Sequence, residues 1–157
     1  MESLADKIVL KINQAAELYH RLILVVAPMG AGKTAALQEV HGSIGAPIIN
    51  VNLELSQRLL DLTARQRVLQ LPQILREIIN VDEREIILLD NIEIIFDVSL
   101  KQDPLRLLQG FSRNKTLVVA WNGFISQDHI IYAEPNHSEY KRYPIRDFLV
   151  VNSEVAA

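Results

Sequence analysis

The chain has 157 residues, 49% of them hydrophobic and 22% charged, with no cysteine and a formal net charge of −3. That length and apolar content suit a single domain over 1–157 with one substantial core, and they exclude a disordered chain, disulfides and thiolate metal sites. The acidic balance, with a pI near 5.8, gives no support to a whole-protein footprint for nucleic acid, which needs clustered Lys and Arg; only a local basic patch would allow DNA contact.

The segment Met1–Lys7 has neither the basic flank nor the apolar stretch of a signal peptide, and no apolar run reaches the about 20 residues that span a bilayer. A cytoplasmic protein with no membrane association is therefore expected. Within residues 1–20, Leu4, Ile8, Ile12, Ala15 and Tyr19 recur at helical spacing and predict a leading helix over 4–19. Leu22–Val26 is a continuous apolar run of strand length, as in a strand covered on both faces of a parallel sheet. Lys33–Val40 reads as a short helix stopped by Gly42 and Gly45, followed by a strand over 47–52 and a helix over 53–62. A partly helical stretch over 65–80 places Pro72 in a first turn. Glu85–Asp90 is the third strand, Asp103-Pro104 opens a helix to about 112, and 116–121 is a fourth strand closed by Asn122-Gly123. Residues 124–146 show no period and read as an irregular insertion, and 147–152 is a fifth strand. Strands alternating with helices predict an α/β fold, a three-layer core with a five-stranded parallel sheet. The few residues after the fifth strand leave no room there for a C-terminal helical lid.

The chemistry-bearing segment is Ala27-Pro28-Met29-Gly30-Ala31-Gly32-Lys33-Thr34. It fills every fixed position of a phosphate-cradling P-loop except the first, where alanine replaces glycine. Small residues are needed because successive backbone N–H groups must turn inward around phosphate oxygens. Lys33 would reach the terminal phosphates as a point charge, Thr34 would ligate Mg²⁺, and the helix starting near Lys33 would present its N-terminal dipole to the anion. The bland alternative, a glycine-containing strand-to-helix turn, does not require Lys-Thr at that place.

Asp90 follows four apolar residues, as a Walker B aspartate that holds Mg²⁺ does; its alternative is a simple cap. A strand between the loop strand and the Asp90 strand resembles the large ATPase division that includes the AAA+ and STAND families. That resemblance implies strand order 5-1-4-3-2. Asn91 stands where many of those ATPases carry a water-activating glutamate, so Glu93 is the candidate base, against a solvated helix face as its alternative. Asn122 ends the fourth strand where relatives orient the attacking water, although Asn-Gly is also an ordinary turn dipeptide. Asp90, Glu93 and Asn122 are thus the candidate catalytic set, with Thr34 and Asp90 as the Mg²⁺ ligands.

Arg113 and Lys115, or Lys141, Arg142 and Arg146, could act in trans on a neighbouring subunit's phosphate in a homo-oligomer, or simply be solvated. His129 and His137 lack metal-ligand spacing. Asn114-Lys115-Thr116-Leu117 lacks the aspartate of a guanine-reading motif, which favours ATP as the nucleotide. A metabolite kinase is a weaker alternative, since no acceptor-binding lid is evident.

Asn52-Leu53-Glu54-Leu55-Ser56, Asp103 to Gly110, Val118-Val119-Ala120-Trp121 and Tyr132-Ala133-Glu134-Pro135 resemble the BrxF family, small P-loop proteins of type 3 BREX phage-defence systems, over 22–151. The resemblance implies a bacterial antiphage role in which ATP binding or hydrolysis is coupled to assembly with other BREX proteins. An ATPase and a nucleotide-gated assembly module with little turnover both fit these residues.

Overall fold

The computed structural model describes residues 3–152. Helix α1 (Leu4–Ala15) begins at a reciprocal cap: the Ser3 hydroxyl accepts the Asp6 amide at 3.1 Å while the Asp6 carboxylate accepts the Ser3 amide at 3.2 Å. It ends at Ala15 rather than at 19, which leaves Tyr19 outside the helix and 66% exposed. The expected residues 1 and 2 of the leading segment lie outside the described residues.

Five parallel strands form the main sheet: β1 (Leu22–Ala27), β2 (Ile48–Asn50), β3 (Ile86–Asp90), β4 (Thr116–Ser126) and β7 (Leu149–Asn152), in the order β2-β3-β4-β1-β7. Counting the parallel strands alone, this is the expected order. Alternation along β1 divides the core in two. Leu22, Leu24 and Val26 face a cluster built with α3 (Val51–Leu59), α4 (Ala64–Asn80) and α5 (Pro104–Phe111), whereas Ile23 and Val25 face α1 and α2 (Lys33–Ile44). Every residue of β1 is buried, which explains why it reads as an unbroken apolar run.

Several boundaries differ from the sequence reading, each for a local reason. The second strand stops at Asn50, not 52, because the Asn50 side chain accepts the Leu53 amide at 3.1 Å and caps α3. Helix α3 accordingly runs 51–59 rather than 53–62. Gly42 does not stop α2; the helix continues to Ile44 and ends on Gly45, whose left-handed φ of 74° lets its amide bond the His41 carbonyl. The fifth parallel strand begins at Leu149, after Asp147 takes a positive φ of 64°.

Pro72 is inside α4 rather than in a first turn, because a capping box between Thr63 and Gln66 starts the helix at Ala64. A proline there has no amide for the carbonyl four residues back, that of Val68. The Gln102 side-chain amide fills the gap, donating to Val68 at 3.1 Å and to Leu100 at 2.8 Å. Gln102→Ala is expected to cost about 1–2 kcal/mol in chemical denaturation. The loss should shrink in a Pro72→Ala background, where a backbone donor is restored; an undiminished loss would assign Gln102 another role.

The largest correction concerns 124–146, which is not irregular. Strand β4 runs through Asn122-Gly123 without turning and continues to Ser126; β5 (His129–Tyr132) pairs with it antiparallel and β6 (Lys141–Pro144) pairs antiparallel with β5, giving seven strands among the described residues. Gln127 and Asp128, with φ of 49° and 61°, form the two-residue connection. Two consecutive positive φ values match the right-handed twist of a hairpin.

Candidate functional site

The C-terminal ends of the central parallel strands meet in one place. Ala27 of β1 is in register with Asn122 of β4, and Asn50 of β2 with Asp90 of β3. Open α/β sheets bind ligands at this edge. A cleft of about 240 Å³ lies there, lined by Met29, Gly30, Gly32, Lys33, Thr34, Asp90, Asn91, Glu93 and Asn122.

The loop from Ala27 to Lys33 is shaped by its glycines. Gly30 and Gly32 take φ of 80° and 94°, and a Cβ at either would meet nothing within 4 Å. Both glycines are therefore required by backbone conformation rather than by crowding. Gly32 precedes α2, and of the five α-helices among the described residues only α2 begins without a side-chain cap. Its first amides are left for an acceptor from outside the helix, in the field of the helix dipole.

Lys33 is 6% exposed and folds back across the loop, its Nζ donating to the Ala27 carbonyl at 2.7 Å and the Pro28 carbonyl at 2.8 Å. Burial lowers its pKa from the ordinary amine value, and the negative charges of Glu93 and Asp90 oppose that shift. Thr34 follows, and its hydroxyl donates to Asp90 Oδ2 at 2.7 Å. The other Asp90 oxygen accepts the Asn91 amide at 2.9 Å.

Glu93 opens a 3-10 helix, Glu93–Phe96. Both of its oxygens are held: Asn122 Nδ2 donates to Oε2 at 3.0 Å and Asn52 Nδ2 to Oε1 at 3.1 Å. Asn52 is fixed in turn, its Oδ1 accepting the Ile94 amide at 2.8 Å and its own amide donating to the Asn91 carbonyl at 2.7 Å. Asn91 takes a positive φ of 52°, a conformation asparagine tolerates better than most residues.

No family model, curated protein or solved structure matches this chain.

Asp90, Glu93 and Asn122, together with Met29, Gly30, Gly32, Lys33 and Thr34 of the loop, line one cleft. Ala27 and Pro28 contribute carbonyls to Lys33, and Ala31 closes the turn, its amide donating to the Pro28 carbonyl at 3.2 Å. Met29 projects at the tip, 78% exposed. The Asn122-Gly123 pair lies within an extended strand, not a turn. Arg113, Lys115, Lys141, Arg142 and Arg146 do not line the cleft within one chain. The Arg113 guanidinium instead covers the Tyr19 ring at 4.8 Å, and Lys115 donates to the Asp82 carbonyl.

Sequence reasoning missed Asn52. The signal was available: a polar residue just beyond the end of an apolar run, next to the strand that carries Asp90. Read as strand rather than as helix, Asn52 gives no reason to reach Glu93.

The donor set suits Mg²⁺. Among the described residues no three His, Asp or Glu side chains gather into a metal-binding group. One hydroxyl beside one carboxylate, both hard oxygen donors, is the protein share that Mg²⁺ takes when phosphate oxygens and water complete its shell.

Proposed function

We propose that the chain is a P-loop protein that binds Mg-ATP at Ala27–Thr34 and hydrolyses it, with Glu93 as general base. The observation that carries this reading is the 2.7 Å contact between the Thr34 hydroxyl and Asp90. It joins the two residues read as Mg²⁺ ligands, one in the first turn of α2 and the other at the end of β3, two elements separated in sequence by β2, α3 and α4. The metal would supply charge neutralisation at phosphate oxygens, held by Thr34 and, directly or through water, by Asp90. The loop amides and Lys33 would bind the phosphates. Asn122 would orient water, and Glu93 would take its proton. The resemblance to BrxF extends the proposal to antiphage defence beside other components of a type 3 BREX system.

A second reading is a nucleotide-gated assembly module with little turnover. It is favoured by Asn91 in the usual place of the base and by the engagement of both Glu93 oxygens with side-chain amides of the chain itself, which gives the carboxylate a structural role.

Lys33→Ala removes the one cation that, among the described residues, lines the cleft. Its affinity for Mg-ATP is expected to fall roughly 30- to 150-fold, the equivalent of about 2–3 kcal/mol for a lost charge-assisted bond. Titration with a fluorescent ATP analogue measures this, and equal affinity in wild type and variant would overturn the nucleotide reading.

A further inference from the structure

Glu93 is gripped at its carboxylate by two amides, and the 3-10 helix that carries it ends in an aromatic cluster shared with the antiparallel part of the sheet. In the 3-10 helix Glu93–Phe96, three residues per turn place side chains 93 and 96 one above the other. The Phe96 ring lies flat on Tyr132 of β5, with centroids 3.5 Å apart and planes 6° from parallel. Trp121, the chain neighbour of Asn122, closes the cluster edge-on, 5.2 Å from Phe96 and 6.0 Å from Tyr132. Strand β6 joins through Tyr143, whose ring lies 6.1 Å from Trp121 and whose hydroxyl donates to Asp103, the cap of α5, at 2.9 Å. Tyr132 is also electrostatically near the site: its pKa is raised by burial first, then by the negative charges of Glu93 and Glu139.

We infer that Tyr132 is a positioning residue for Glu93: its ring, stacked on Phe96, sets the height of the 3-10 helix and so places the Glu93 carboxylate against Asn122. The inference rests on the ATPase reading and adds to it a role for β5 and β6. The phosphate loop and Asp90 belong to β1, α2 and β3, so a shift of the β5–β6 hairpin would move the base without moving the phosphate cradle. Turnover and binding are then separable at this residue.

The test uses the full chain with Mg-ATP, comparing wild type, Tyr132→Phe and Tyr132→Leu for analogue affinity and for phosphate release. Tyr132→Phe keeps the stacked ring and should stay within about twofold of wild type in both, whereas Tyr132→Leu should keep its affinity and lose about tenfold in kcat, as a misplaced catalytic group does. Trp121, the sole tryptophan, should change emission in Tyr132→Leu without nucleotide. In a Glu93→Gln background Tyr132→Leu should cost no further turnover. Wild-type kcat in Tyr132→Leu, an equal fractional loss without Glu93, or a parallel fall in affinity would each overturn the inference. Wild type that binds Mg-ATP but releases no more phosphate than Lys33→Ala removes the base, and this inference with it, while leaving the nucleotide site standing; absence of binding removes both.

Discussion

Glu93→Gln is expected to keep Mg-ATP affinity and to lose phosphate release by about 10²- to 10⁴-fold, the usual contribution of a positioned general base. The substitution preserves length and shape, so the 3-10 helix and its Phe96–Tyr132 stack need not move. What changes is the proton chemistry. A carboxylate accepts from Asn52 and Asn122 at 3.1 and 3.0 Å through separate oxygens; an amide offers one acceptor and one donor group, so Asn122 must turn its amide over to keep its bond, and the basicity is lost. Binding should survive because the groups proposed to face the phosphates, Lys33, Thr34 and the loop amides, belong to other elements. The same measurement separates the two functional readings. If wild type and Glu93→Gln release phosphate equally slowly while both change mass with a non-hydrolysable ATP analogue, the nucleotide acts as an assembly signal and Glu93 is not a base. A mass independent of nucleotide, with the turnover difference present, leaves the ATPase reading alone.

Where the fold was legible, one physical signal sufficed. The strands β1, β3 and the first half of β4 are covered on both faces, so their side chains must be apolar throughout, and continuous runs such as Leu22–Val26 and Ile86–Leu89 mark them. The loop glycines were legible because positive φ at 30 and 32 admits few other residues. Elements decided by a side chain bonding far along the chain were not legible. Pro72 is accommodated inside α4 by Gln102, thirty positions later, which takes the stranded Val68 carbonyl, although the Thr63–Gln66 cap that starts the helix is a local signal. The β4–β5 turn is made by Gln127-Asp128 instead of an Asn-Gly or Asp-Gly pair, so nothing local announces a hairpin. The candidate site followed the same division. Lys33 and Thr34 in the first turn of α2, Asp90 at the end of β3 and Asn122 where the parallel pairing of β4 ends were placed by topology. Glu93 reaches the cleft only because Asn91 turns through a positive φ into a 3-10 helix, and Asn52 reaches it only because α3 starts two residues earlier than its apolar pattern suggests.

Gly123→Ala is expected to be the most damaging single methyl addition near the site. A Cβ at this position would stand 1.8 Å from the Ile131 carbonyl oxygen and 3.0 Å from Trp121 Nε1. The obstacle is backbone, so no rotamer change relieves it; β5 would have to move away from β4 at the Gly123–Tyr132 pair. That movement would also strain the bond from the Trp121 indole to the same Ile131 carbonyl, 3.2 Å and buried. A cost of about 3 kcal/mol, the upper part of the usual range for overpacking, corresponds to a Tm lower by about 6–12 °C in a domain of this size. Trp121 emission should shift in the same variant, and thermal unfolding with fluorescence detection reads both. The position matters for function because Gly123 stands between Asn122, which bonds Glu93, and Phe124, which pairs with β5. Displacing β5 displaces Tyr132, and with it the ring that supports Phe96 below Glu93. Phosphate release should therefore fall further than Mg-ATP affinity, measured below the lowered Tm. An alanine variant with unchanged Tm and emission would mean that β5 is held far more loosely against β4 than the 3.2 Å indole bond and the four-residue antiparallel register imply.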